Sequence, residues 1–156
     1  MPITWSPRLA VGAPVIDGQH QEIFRRIAAF LGSMAAGQGR AQLMDTLEFL
    51  DTYVVEHFAA ETAMMREVAY PYLRSHLGAH AHFLAEMRRI RLQIDNDEIE
   101  TRTVIRAGAL FCDWLREHIG TADRDFGAFL LERREGQAPD APPSAGGAEP
   151  QLSDDG

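Results

Sequence analysis

Four long segments of the chain carry apolar residues at every third or fourth position, which is the periodicity of amphipathic α-helices. Clusters of Pro and Gly separate these segments, and no stretch shows the alternation of a half-buried strand. We expect the first helix to begin with Asp17 as its N-cap and the fourth to end at Gly120. The pattern predicts an all-α fold, an up-down-up-down four-helix bundle with an N-terminal arm and a short C-terminal helix; the predicted helices span residues 17–36, 40–68, 72–94, 101–119 and 125–134.

The C-terminal residues differ in composition from the rest of the chain. From Gly136 to Gly156 the sequence is dominated by Pro, Gly, Ala, Ser and Asp. We therefore predict one folded domain over residues 1–135 and a disordered Pro-, Gly- and Ala-rich tail over residues 136–156. The N-terminus shows no basic region followed by an apolar stretch, so we expect no signal peptide, no membrane insertion and a cytoplasmic location.

The charge and the residue types exclude several kinds of chemistry. Acidic residues outnumber basic ones 23 to 15, and the net charge of -8 argues against a protein that binds nucleic-acid phosphates. All basic residues are Arg, so no mechanism can use a Schiff-base lysine. A single cysteine, Cys112, excludes an internal disulfide framework and a Cys-rich zinc site.

Histidine spacing provides the first sign of a binding site. Side chains four residues apart on a helix lie one turn apart on the same face, so two of them can hold one ion. This spacing occurs at His57 and Glu61 on the second predicted helix, and again at His76 and His80 on the third. Both pairs lie on or beside the apolar stripe of their helix, which predicts that they point into the bundle.

The first and fourth helices complete the set. His20 and His118 fall on the apolar faces of these helices, whereas His82 is expected at the surface because it lies two positions after His80. A second carboxylate, Asp123, follows His118 by five residues, which on an ideal α-helix separates the two by about 140°. The chain must therefore depart from α-helical geometry between them, and Gly120 is where we expect a break or a widened turn.

Five inward imidazoles and two inward carboxylates favour a metal site, because each unpartnered buried polar group would cost about 1–3 kcal/mol. One zinc ion takes four ligands, so this set suits two first-row ions bridged by the carboxylates. The ligand types favour iron but leave manganese and two zinc ions open. Ferritin-like sites use Glu-x-x-His pairs, which this sequence lacks, and their absence argues against a carboxylate-rich oxygenase or ferroxidase.

From residue 5 to about residue 130 the sequence resembles the hemerythrin family, in particular the single-domain bacteriohemerythrins. Gln21 and Thr62 stand where relatives often carry Lys and Glu, and neither position is a ligand in the family. The matching residues are Trp5, the segments 16–20 and 57–61, Met64 and Met65 through Tyr70 and Pro71, His76 and His80 followed by Phe83, and Trp114 and Leu115 leading to His118, Ile119 and Asp123.

The resemblance implies a non-haem di-iron centre, that is, two iron ions with an oxo or hydroxo bridge. It implies that Glu61 and Asp123 also bridge the two ions. One ion would be held by three histidines and the other, with an open position, by two; these are His76, His80 and His118 for the first, and His20 and His57 for the second.

The resemblance also implies the function. Molecular oxygen would bind reversibly, as the diferrous form converts to a diferric hydroperoxide form, for oxygen storage, delivery or sensing rather than enzymatic turnover. An oxygen-consuming enzyme is the partner that delivery would need. The oxygen pocket would be lined by Ile23, Phe58, Trp114 and Leu115. The alternatives are a di-iron redox enzyme with peroxidase or nitric-oxide-reducing activity, an iron-responsive sensor, and a two-zinc hydrolase with an open polar cleft.

Overall fold

The computed structural model describes residues 3–94 and 99–137. A short 3-10 turn, Pro7–Leu9, lies in the N-terminal arm, and no strand occurs in the described residues. The helices are α1 (Pro14–Ala35), α2 (Gly39–Glu67), α3 (Leu73–Ile94), α4 (Thr101–Asp113) and α5 (Arg124–Gly136), with a π-helical segment (Trp114–Asp123) between α4 and α5. The predicted all-α bundle is confirmed.

The N-cap of the first helix is Ala13, four residues before the expected Asp17. Pro14 occupies the first helical position, where the lack of an N–H group has no consequence and the fixed φ suits the helix. Asp17 therefore lies within the first turn, and its prediction as the N-cap is wrong. Its carboxylate instead accepts backbone N–H groups from Val11 at 2.7 Å and from Gly12 at 3.2 Å. Asp17 thus fastens the N-terminal arm to the start of α1.

The fourth helix does not end at Gly120, so that part of the prediction is wrong. The helical backbone continues from Thr101 to Gly136, and Gly120 lies within the π-helical segment. Of the two departures expected between His118 and Asp123, the structure contains the widened turn. The predicted short C-terminal helix is present as α5, in direct continuation of the π-helical segment.

Two apolar clusters fill the bundle, one on either side of a polar layer. Along α1, His20 lies between Ile16 of the smaller cluster and Ile23 of the larger one. Along the continuous helical stretch of residues 101–136, Leu115 belongs to the larger cluster and Phe126 to the smaller one. His118 and Asp123 lie between them in the sequence. The polar layer is therefore separated from solvent by apolar packing at both ends of the bundle.

The arm closes the smaller cluster from outside. Val11 crosses α5 so closely that a Cβ on Gly127 would lie 2.7 Å from the Val11 Cα atom, which explains why a glycine is present there. The Arg134 guanidinium donates a hydrogen bond to the Gly12 carbonyl oxygen at 2.9 Å. The arm and α5 thus hold each other over the end of the bundle.

Two sequence predictions concern regions beyond these helices. Residues 138–156 of the predicted tail lie outside the described residues, so the domain boundary at residue 135 stays a prediction. None of the helices in the described ranges combines the length and the apolarity needed to cross a membrane.

Candidate metal centre

All seven predicted ligand residues meet in the polar layer. Four of them are completely buried, and the three histidines at positions 76, 80 and 118 are 4–5% exposed. Their donor atoms form two groups, within each of which all atoms lie less than 4.8 Å apart. The first contains Glu61 with the trihistidine group, His76, His80 and His118; the second contains Glu61 and Asp123 with the dihistidine group, His20 and His57.

Glu61 faces both groups with different oxygen atoms. Its Oε2 atom lies 3.1 Å from His80 Nε2 and 3.4 Å from His76 Nε2. Its Oε1 atom lies 3.4 Å from His57 Nε2 and 3.6 Å from His20 Nε2. One carboxylate oxygen is therefore available to each histidine group.

Asp123 likewise turns a different oxygen atom to each histidine group. Its Oδ1 atom lies 3.1 Å from His118 Nε2 and 3.2 Å from His76 Nε2, and its Oδ2 atom lies 3.1 Å from His20 Nε2. The trihistidine side thus has five protein donors and the dihistidine side has four. The two sides differ by one donor.

The π-helical segment explains how one stretch of chain supplies both His118 and Asp123. A π-helix forms hydrogen bonds from residue i to residue i+5, so residues five apart come close to the same face. Both side chains are buried although their spacing would separate them on an α-helix. The widened turn is therefore what brings the Asp123 carboxylate into the site.

Many of the donor atoms converge without forming hydrogen bonds to one another. Although the nitrogen and oxygen atoms approach to 3.1–3.6 Å, several of them lack an aligned hydrogen-bond partner among the residues that the structure describes. These atoms are His20 Nε2, His57 Nε2, Glu61 Oε1 and both Asp123 carboxylate oxygens. Buried polar groups normally have partners, so a set of convergent nitrogen and oxygen donors without them fits metal ions.

The carboxylates remain anionic despite their burial. Burial alone would raise the pKa of Asp123, but the imidazoles of His118, His20 and His76 outweigh it and hold that pKa well below its usual value. Burial and the Asp123 charge oppose ionisation of Glu61, yet the neighbouring histidines still lower its pKa. The site therefore provides two negative charges to compensate cations.

The histidines respond in opposite directions. Burial opposes protonation of His20 and His76, but the carboxylates of Asp123 and Glu61 outweigh it and raise both pKa values to about 9. For His57, burial dominates and lowers the pKa to about 4. The metal-free site thus holds protons on His20 and His76 at neutral pH, which bound metal would have to displace.

The metal-free protein is expected to lose stability as the pH rises from about 6.5 to about 9. Protonated His20 and His76 stabilise the fold fully below the unfolded-state pKa of 6.5, and this contribution disappears as the pH rises through their folded-state pKa of about 9. Thermal unfolding of chelator-treated protein, followed by circular dichroism, should show a Tm that falls by several degrees. The zinc-loaded protein is the control, since its ligating imidazoles are already neutral. A constant Tm of the metal-free protein across this window would contradict the assignment.

The four predicted oxygen-pocket residues are all buried in the larger apolar cluster. The Phe58 ring stacks on the His80 imidazole with centroids 3.7 Å apart, and the Trp114 ring stacks on His118 at 3.9 Å. Ile23 and Leu115 belong to the same cluster. Because the Phe58 and Trp114 rings contact ligand candidates, this cluster lies beside the site. The role of the four residues as an oxygen pocket stays a prediction.

Two further positions complete the comparison with the sequence. His82 is exposed and belongs to neither donor group, as expected. The histidine spacing does not reveal Gln19, whose Oε1 atom lies 3.0 Å from His57 Nδ1. The one signal in the sequence was its position directly before His20, on a neighbouring face of α1.

The fold and the site define a four-helix bundle with a buried histidine and carboxylate layer that fits metal ions. Residues 11–130 match the family model of the hemerythrin HHE cation binding domain, and the chain belongs to the hemerythrin family. The resemblance noted in the sequence is thereby confirmed.

Individual relatives are similar over most of the chain. The bacteriohemerythrin of Pseudomonas paraeruginosa is 29% identical over 126 residues, which cover 80% of this chain and 78% of the relative. The bacteriohemerythrin of Stenotrophomonas maltophilia is 29% identical over 130 residues with the same coverage. The myohemerythrin of Sipunculus nudus is 28% identical over 123 residues, covering 78% of this chain and 88% of the relative.

Proposed function

We propose that the protein binds molecular oxygen reversibly at a non-haem di-iron centre in the polar layer, for oxygen storage, delivery or sensing. The observation that carries this proposal is that Glu61 and Asp123 each turn one oxygen to the trihistidine group and the other to the dihistidine group. When bound, two adjacent ferrous ions would supply one electron each to oxygen. The ligands would be His20, His57, Glu61, His76, His80, His118 and Asp123.

The unequal donor count gives oxygen a place to bind. With Glu61 and Asp123 shared, the dihistidine side has four protein donors against five on the trihistidine side. The free position therefore belongs to the side of His20 and His57, both of which are completely buried.

The surroundings favour a binder over an enzyme. Within the described ranges, the buried ionisable side chains are the seven ligand candidates and Tyr70, and burial raises the pKa of the Tyr70 hydroxyl above its usual value. Tyr70 packs in the smaller apolar cluster, and the buried residues of the larger cluster, which contains Phe58 and Trp114, include no acid or base that could deliver the protons that reductive turnover requires. The apolar cluster around Phe58 and Trp114 admits a neutral gas while keeping water away. This environment supports release of oxygen in its original form.

The proposal is tested by loading the protein with iron, reducing it without oxygen and recording its optical spectrum in air. We expect two iron ions per chain and visible charge-transfer bands that appear with oxygen and vanish on deoxygenation through repeated cycles. The zinc-loaded protein serves as a colourless control. An iron-loaded protein without such bands would refute oxygen binding, and irreversible oxidation in the first cycle would indicate a redox enzyme instead.

A further inference from the structure

His57 has a hydrogen-bond partner on the ring nitrogen that faces away from the site. Its Nδ1 atom lies 3.0 Å from the Gln19 side-chain oxygen, and its Nε2 atom lies 3.4 Å from Glu61 Oε1. An amide oxygen can only accept, so the Nδ1 atom carries the proton and Nε2 presents a lone pair to the site. The contact thus selects the ring tautomer that a metal needs.

Two of the other buried histidines, His20 and His80, lack such support in the described part of the chain. The Nδ1 atoms of His20 and His80 are buried without a hydrogen-bond partner in the described part of the chain. On the dihistidine side, a hydrogen bond to Nδ1 fixes the orientation of the His57 imidazole. Among the described residues, the His20 imidazole is held by packing alone. The hydrogen bond with Gln19 is thus the difference between His57 and His20, the two ligand candidates on the side with the free position.

The helix geometry shows why Gln19 can play this part. Consecutive residues on an α-helix point about 100° apart, so α1 directs His20 into the polar layer and Gln19 toward the neighbouring helix α2. The His20 and His57 rings meet edge to face with centroids 4.7 Å apart. Two adjacent residues of α1 thus contribute to the dihistidine side. His20 is a ligand candidate, and Gln19 supports the ligand candidate His57 on α2.

We propose that Gln19 is a positioning residue that holds the His57 imidazole with Nε2 toward the dihistidine side and increases its electron donation to the metal there. A hydrogen-bond acceptor behind a ligating imidazole fixes its orientation and raises its basicity, and loss of such a partner typically lowers metal affinity about 10–100-fold. The inference rests on the proposed function, because it concerns an ion on the side where oxygen would bind.

Three variants of the full chain separate this role from general packing. Gln19→Leu removes the acceptor, and Gln19→Glu keeps an acceptor of the same length with a negative charge. Gln21→Leu, at an exposed position of the same helix, is the matched control. Far-UV circular dichroism confirms that each variant keeps its helices.

The first measurement is a calorimetric titration with zinc. We expect the wild type and Gln21→Leu to bind two ions tightly, Gln19→Leu to bind one of the two at least about 10-fold more weakly, and Gln19→Glu to restore that ion. In the zinc-loaded protein, the His57 Nδ1–H signal in the NMR spectrum should exchange slowly with water. In Gln19→Leu it should exchange rapidly.

The second measurement is the midpoint potential of the iron-loaded protein. A more electron-donating imidazole favours the ferric state, so Gln19→Leu should raise the potential and Gln19→Glu should lower it relative to the wild type. Shifts of both variants in one direction, or an unchanged zinc affinity and Nδ1–H exchange in Gln19→Leu, would overturn the positioning role while the proposed function stands. A wild type that binds no metal pair would instead refute the proposed function and this inference with it.

Discussion

Glu61→Gln is expected to abolish tight binding of a metal pair, because Glu61 turns one carboxylate oxygen to each histidine group. The substitution preserves size and shape but replaces one of the two oxygens by an NH2 group, which can only donate. It also removes one of the two negative charges that face the histidines. Each histidine group then faces a neutral amide atom where the wild type has an oxygen of the anionic Glu61 carboxylate. We expect the apparent affinity for the pair to fall by at least about 100-fold, as for loss of a direct ligand rather than its support.

The measurement is the metal content per chain after loading and desalting. The wild type should retain two ions and Glu61→Gln fewer than one. Glu48→Gln provides the matched control, since Glu48 is an exposed glutamate on the same helix. Circular dichroism distinguishes loss of the site from loss of the fold. If Glu61→Gln retains two tightly bound ions, the bridging role assigned to Glu61 is wrong.

The part of the site that could be predicted from the sequence is the part determined by α-helical periodicity. His57 with Glu61, and His76 with His80, are four residues apart, and this spacing alone puts each pair on one face of a helix. The apolar residues around them then indicate that this face is the inner one. Local spacing and hydropathy were sufficient because both helices are α-helical throughout.

The end of the fourth helix could be predicted only in part. Glycine commonly follows the last residue of a helix, so Gly120 was interpreted as a stop. In the structure, Gly120 lies inside a π-helical segment, which has no comparable sequence signal. The requirement that His118 and Asp123 both reach the polar layer does imply a departure from α-helical geometry. That requirement comes from tertiary structure, and it does not distinguish a break from a widened turn.

Two other details depend on contacts that no local pattern contains. Aspartate near a helix start usually caps that helix, but Asp17 accepts N–H groups from the preceding arm instead. Gln19 and His57 are 38 positions apart in the chain and meet only because α1 packs against α2. The spacing within one helix predicts its ligand candidates, whereas the support of a ligand candidate by another helix requires the packed structure.

Leu115→Ala is expected to accelerate autoxidation of the oxygen-loaded protein by about 10-fold or more, because exclusion of water keeps the reduced site from being oxidised irreversibly. Leu115 is 2% exposed, lies three residues before His118 and belongs to the apolar cluster that contains Phe58 and Trp114. Truncating it leaves a cavity in this cluster through which water can approach the polar layer. The substitution should also reduce the free energy of unfolding by about 2–5 kcal/mol, as for other buried leucines.

Stopped-flow mixing of the reduced protein with oxygen, followed by slow decay of the visible bands, measures the autoxidation rate. Leu43→Ala is the matched control: Leu43 is completely buried in the same cluster but lies 14 residues before His57 on α2, about 21 Å along the helix. Both variants should lose comparable stability, and only Leu115→Ala should autoxidise faster. Equal rates in the two variants would show that general destabilisation, and not exclusion of water by Leu115, controls the oxidation.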